Sequence, residues 1–172
     1  MKHIVTLVLL NLSLYCYSQN LIFVGTKSYT ATSSWNFSPP KRTFSDDGII
    51  VQIGKSPTGG IFMISVASEF GQASIDGAVL IYLKDGKVIS LTNKITDDYA
   101  NDRISVIYVV TSNSIDKMKG SNIANVRFTY AYPNGRKMGL SARNGQLYDN
   151  GIFINENVEI QTASEITELF SR

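Results

Sequence analysis

Between Asn125 and Tyr132 the chain alternates in polarity residue by residue. Val126, Phe128, Tyr130 and Tyr132 form one row, and Asn125, Arg127, Thr129 and Ala131 form the other. A period of two places each row on its own face of an extended strand, whereas a helix would scatter the apolar set around its circumference. This segment predicts a half-buried strand. Ile104, Val106, Tyr108 and Val110 repeat the pattern, with Ile107 and Val109 making the second face apolar as well, so that strand is expected to be covered on both sides. Ile61 to Ala67 and Ala78 to Leu83 are nearly continuous apolar runs rich in Ile, Val and Tyr, the composition of central strands in a layered structure. Leu21 to Val24, Ile49 to Ile53, Val88 to Leu91 and Val158 to Ile160 complete the expected strands.

Turn chemistry points the same way. Asp85-Gly86 separates two strand runs, and Asp-Gly tolerates the positive backbone angles of a tight hairpin. Pro133-Asn134-Gly135 does the same between the strand ending near residue 132 and Arg136 to Ser141. Gly59-Gly60, Asp47-Gly48, Asp76-Gly77, Asn144-Gly145 and Asn150-Gly151 are further turn or bulge positions. Short strands joined by short turns must pair antiparallel, because parallel pairing needs long crossovers. Thr26 to Pro40, polar and ending in Pro39-Pro40, reads as an irregular arm or an edge strand broken by proline.

Two segments carry helical signals. Ser114 to Gly120 has a hydroxyl cap, Ile115 and Met118 three apart, and a glycine stop. Thr162-Ala163-Ser164-Glu165 has capping-box spacing and is followed by Ile166, Leu169 and Phe170 on one face. The expected architecture is mainly β: an antiparallel β-sandwich or partly open barrel with a short inserted helix and a C-terminal helix shielding a sheet edge.

The first 18 residues read differently. Met1-Lys2-His3 is a cationic start, Ile4 to Leu14 is an apolar run, and Cys16 and Ser18 are small residues at alternate positions. That order is a secretory signal peptide. Cleavage after Ser18 makes residues 1–18 the leader and leaves about 154 residues, 19–172, enough for one β-rich domain. The apolar run is short of a membrane span and is interrupted by Asn11 and Ser13. Acylation at Cys16 is the alternative processing, disfavoured by the bulky Tyr15 before it. The product is expected in the periplasm or outside the cell, with no membrane span. Asn36-Phe37-Ser38 matches a glycosylation sequon, which matters only on a eukaryotic secretory route.

The one cysteine, Cys16, and the one histidine, His3, both fall in this leader. The exported chain would lack thiol and imidazole, which removes Ser-His-Asp, Cys-His and His-based zinc chemistry. No G-x-S-x-G elbow, phosphate loop or dinucleotide fingerprint occurs, and no cofactor is expected. A net charge of +2 with scattered cations argues against nucleic acid, and 44% hydrophobic with 17% charged residues argues against disorder.

Three kinds of surface chemistry remain. Asp46, Asp47, Glu69, Asp76, Asp97, Asp98 and Asp102 are numerous enough to supply a glycosidase pair, although most sit in turn contexts. Asp97, Asp98 and Asp102 concentrate oxygen ligands around Tyr99 and Asn101 and form a candidate Ca²⁺ loop, without the order of an EF-hand. The competing reading is a solvated loop between Leu91 and Arg103. Trp35, Phe37 and Tyr99 are candidate ligand-stacking rings, with Trp35 and Phe37 alternatively folding back as lids on the core.

The leader ending Tyr17-Ser18-Gln19-Asn20, the Lys84-Asp85-Gly86-Lys87 hairpin, and Ser121-Asn122-Ile123-Ala124-Asn125-Val126-Arg127-Phe128 after a short helix together resemble small exported β-rich proteins of Bacteroidota-type bacteria. The resemblance touches about a third of the chain; it implies an envelope or secreted β-domain and carries over no catalytic or binding residue. The favoured expectation is an exported, non-enzymatic binding or structural domain with a protein or glycan ligand. A carboxylate-dependent carbohydrate enzyme is the first alternative. An inhibitor or subunit docking through residues 163–172 is the second.

Overall fold

The computed structural model describes residues 19–38, 48–68, 73–145, 147–149, 152–154 and 159–171. The expected leader, residues 1–18, lies outside them, as do Pro39-Pro40, Asp46, Asp47, Glu69, Asn150-Gly151 and Val158. The strands are β1 (Asn20–Val24), β2 (Lys27–Ala31), β3 (Trp35–Phe37), β4 (Ile49–Ser56), β5 (Gly59–Ala67), β6 (Ser74–Leu83), β7 (Val88–Leu91), β8 (Lys94–Ala100) and β9 (Arg103–Thr111). Helix α1 (Ser112–Lys119) follows, then β10 (Ile123–Ala131), β11 (Lys137–Arg143), β12 (Leu147–Asp149), β13 (Ile152–Ile154) and helix α2 (Thr162–Ser171).

The architecture is mainly β and sandwich-like, as the alternation implies. One sheet runs β1-β2-β4-β5-β9-β8, with β3 also on β4; the second runs β11-β10-β6-β7; β12 and β13 pair separately. The strand pairs are antiparallel. The Asp85-Gly86 and Pro133-Asn134-Gly135 turns join β6 to β7 and β10 to β11. Ser38 and Arg143 exchange backbone hydrogen bonds of 3.1 and 2.8 Å, stitching β3 of the first sheet to β11 of the second.

The inward rows of the two sheets meet in one continuous core that includes Ile53, Phe62, Val106, Ile81, Val126 and Phe128. Each fully buried side chain of this size contributes about 1.5–3 kcal/mol relative to exposure. Ile115 and Met118 of α1 and Ile166 of α2 join the same core. The apolar stripe of α2 therefore faces its own protein.

A second, smaller cluster lies on the outer face of the first sheet, where Ile22 and Ala31 cover Ile61 and Ile107. β2 pairs with β4 only at its last residue, Ala31 opposite Gly54, and the rest of β2 stands off the ladder. The β1–β2 hairpin thus folds back over the sheet. Gly54 makes room for it: a Cβ there would sit 2.7 Å from Ile61 Cγ1 and 3.3 Å from Ile22 Cδ1. Coverage of β9 is consequently partial, with Ile107 at 4% and Val109 at 42% exposure, so the expectation of two fully covered faces holds only for the half under the hairpin.

Several local expectations are corrected. Of the two readings of Thr26 to Pro40 the strand reading holds over its described part, residues 26–38, which contains β2 and β3 rather than an irregular arm. Gly59-Gly60 opens β5, and the turn is Pro57-Thr58. Glu159 and Ile160 are not in a strand. Thr111, not Ser114, caps α1, its hydroxyl accepting the Ser114 N–H at 3.3 Å.

The capping box of α2 is also absent, because both of its members have stronger tertiary partners. Thr162 Oγ1 accepts the Ile123 N–H at 2.8 Å, and Glu165 accepts both the N–H and hydroxyl of Ser33 at 3.0 and 2.7 Å. Asn122 takes over the cap from outside the helix, accepting the Ala163 N–H at 2.9 Å.

Candidate ligand-binding site

One end of the sandwich gathers polar groups from both sheets. Gly77 adopts a positive φ of 71° inside β6, where the register against β10 shifts in a bulge. The bulge turns its carbonyl toward β9, and the Tyr108 hydroxyl donates to it at 3.1 Å. Burial, reinforced by the negative charges of Asp76 and Asp97, pushes the Tyr108 phenol up to about 12. Tyr108 is thus a neutral donor at any physiological pH.

Lysines hold the two carboxylates. Lys137 of β11 reaches Asp76 at 2.5 Å, and Lys94 pairs with Asp97 within β8 at 2.6 Å. Hydrogen bonding to Lys137 and its charge lower the Asp76 pKa, and the hydrogen bond to Lys94 does the same for Asp97. A glycosidase general acid needs the opposite displacement, a carboxyl held protonated near neutrality. Neither aspartate has that environment.

The expected loop around Asp97 is a strand. β8 pairs with β9 through Ala100 opposite Arg103, and Asn101 and Asp102 make the turn with φ of 51° and 56°. Asp97 and Asp98 are neighbours on a strand and so point to opposite faces. Asp102 accepts the Tyr99 hydroxyl at 3.1 Å. The three candidate calcium ligands do not converge, and among the described residues no group of three or more His, Cys, Asp or Glu is placed to hold a metal. Strand pairing won over the local clustering of oxygens because Ile104 and Val106 of β9 present a complete ladder to β8.

The proposed stacking rings also separate. Trp35 and Phe37 are 1% and 0% exposed, in β3 opposite Val51 and Ile49. Their role as ligand-facing rings is corrected to core packing: they stand at alternate positions of a strand whose inner row they form. The Trp35 Nε1 proton is buried without a hydrogen-bond partner among the described residues. Tyr99 remains at the surface, 44% exposed. Its hydrogen bond to Asp102 is the main cause of its raised pKa, to which burial, Asp102 and Tyr130 add.

Tyr130 leads to rings that the sequence marked only as strand. Its centroid lies 4.9 Å from that of half-buried Tyr132 in an edge-on arrangement. The Arg136 guanidinium stands 5.9 Å from the Tyr132 ring, within cation–π range. Tyr132, Pro133, Asn134 and Arg136 line a cavity of about 410 Å³ beside the β10–β11 turn. The legible signal was Pro133-Asn134-Gly135 bracketed by Tyr132 and Arg136. The turn itself brings ring and cation together, since the Tyr132 N–H bonds the Arg136 carbonyl at 2.8 Å. This arrangement offers an aromatic surface, amide hydrogen-bonding groups and a fixed positive charge to a small ligand.

No protein family, curated protein or solved structure matches this chain.

Proposed function

We propose that the protein is an exported, non-enzymatic binding domain for a glycan that carries a carboxylate, taken up between the β10–β11 turn and the tyrosines beside it. The observation that carries this reading is the placement of the Arg136 guanidinium 5.9 Å from the Tyr132 ring at the wall of the cavity. A sugar ring packs its C–H face on an aromatic ring, a carboxylate accepts from the guanidinium, and Asn134 Nδ2, its Oδ1 already accepting the Arg136 N–H at 3.0 Å, donates to hydroxyl groups. The pairing of Asp76 and Asp97 with lysines supports binding over hydrolysis. Export rests on the amino-terminal pattern of charge, apolar run and small residues.

The test is calorimetric titration of the purified protein with uronate-containing and neutral oligosaccharides. Binding of the acidic series, weakened by Arg136→Gln and abolished by Tyr132→Ala, is expected. Equal binding of the neutral series would remove the role of Arg136. Cleavage of an oligosaccharide that is lost in Asp76→Asn or Asp97→Asn would replace binding with catalysis.

A further inference from the structure

Strand β1 ends the first sheet, with β2 on one side and no strand on the other among the described residues. It is joined to β2 by Gly25 and Thr26, with Gly25 at φ 59°. In such a two-residue hairpin the flanking pair, Val24 and Lys27, shares hydrogen bonds, so Ile22 and Asn20 bond to β2 in turn. The backbone N–H and C=O groups of Leu21 and Phe23 therefore point to the free edge. Their side chains are also outside, 41% and 66% exposed, while Ile22 is 1% exposed beneath the hairpin.

The two ends of this sheet are guarded unequally. β8, at the far end, carries Lys94, Asp97 and Asp98 and a register irregularity between Lys94 and Thr96, the usual devices against edge-to-edge pairing. β1 is Asn-Leu-Ile-Phe-Val, with no charge, no proline and regular pairing throughout.

From this contrast we infer that β1 is a homodimerisation edge, occupied by β1 of a second copy running antiparallel about a two-fold axis through Ile22. The strand is complementary to itself in this register. Leu21 faces Phe23 of the second copy, and Phe23 faces its Leu21, as hydrogen-bonded pairs that satisfy all four outward backbone groups. The four exposed apolar side chains then lie together on one face, as cross-strand pairs do. Each Ile22 stays in its own subunit's small core, and no like charges meet along the strand. The two hairpins then form one four-stranded ribbon, β2-β1-β1-β2, and the Tyr132 cavity, beside the β10–β11 turn of the other sheet, takes no part in the contact.

The test is sedimentation of the protein in the form its host produces, across a concentration series. A species of twice the single-chain mass is expected. Phe23→Lys weakens association at least about 100-fold, roughly one decade for each of the two symmetry-related contacts. Leu21→Pro removes an outward N–H without touching the bonds to β2, and also yields the monomer. The double variant Leu21→Glu with Phe23→Lys sets acid opposite base only in the register centred on Ile22, and restores the dimer at low salt. Val88→Lys, at an exposed position on β7, leaves association unchanged. Circular dichroism of each variant confirms the fold. A wild-type monomer at the highest soluble concentration overturns the inference, as does a dimer indifferent to Phe23→Lys and Leu21→Pro. Failure of the double variant to reassociate overturns the register.

Discussion

The Tyr108 hydroxyl and the Gly77 carbonyl, 3.1 Å apart, join the two sheets directly. Tyr108 belongs to β9 and Gly77 to the bulge in β6, so this bond links the layers at the rim of the sandwich, where Gly77 is exposed, rather than running along a ladder. It anchors the end of the sandwich at which Asp76, Asp97 and their lysines collect.

Tyr108→Phe keeps the ring and removes the bond. A loss of about 0.5–1.5 kcal/mol is expected, read as a lower urea midpoint with unchanged slope. The alkaline behaviour has a definite sign. The folded phenol holds its proton above the ordinary value of 10.0, up to about 12, so the folded state binds that proton more tightly than the unfolded chain. Its contribution is complete below pH 10 and declines as the pH climbs from 10 toward 12. The Phe variant is expected to lack this part of the decline.

Gly54→Ala tests the folded-back hairpin. The new methyl group would meet Ile61 at 2.7 Å, forcing the small cluster of Ile22, Ile61 and Ile107 apart. Overpacking of this kind costs about 1–3 kcal/mol. Faster amide exchange in β1 and β2 than in β4 and β5 would locate the damage in the hairpin.

Thr162→Val and Asn122→Ala separate two ways of holding α2. Valine keeps the shape of threonine but strands the buried Ile123 N–H, at a cost of about 1–3 kcal/mol. Asn122→Ala removes the cap on Ala163, at about 0.5–2 kcal/mol. Both are expected to lower the thermal midpoint, and neither should be rescued by Glu165, whose carboxylate is engaged with Ser33. A stable Asn122→Ala protein would show that the cap is dispensable.

Asp102 serves the β8–β9 turn. Its φ of 56° is a left-handed conformation that a β-branched residue resists by about 1–2 kcal/mol. Asp102→Val is expected to destabilise the protein by that amount. Asp102→Gly, which suits the turn but loses the Tyr99 hydrogen bond, is expected to leave the midpoint nearly unchanged, with or without added Ca²⁺. A midpoint raised by Ca²⁺ in the wild type alone would restore Asp102 as a metal ligand.

Strands β1, β4, β5, β6, β7, β9 and β10, the two strongest hairpin turns and the existence of both helices were determined by the sequence alone. Each rests on short-range physics: the two-residue alternation around Phe128, the positive φ tolerated at Gly86, and the 3.6-residue spacing of Ile166 and Leu169. Competition between local and distant partners was decided by the tertiary structure. Thr162 and Glu165 have the spacing of a cap, yet Ile123 and Ser33 reach them first. Asp97 and Asp98 look like a solvated loop until β9 supplies a ladder, and Trp35 looks exposed until β4 places Val51 opposite. The Tyr132–Arg136 site and the free edge of β1 belong to the same class. Which strands lie side by side, and which edge is left over, depends on the closure of a core assembled from residues far apart in the chain, and no window of neighbouring residues carries that information.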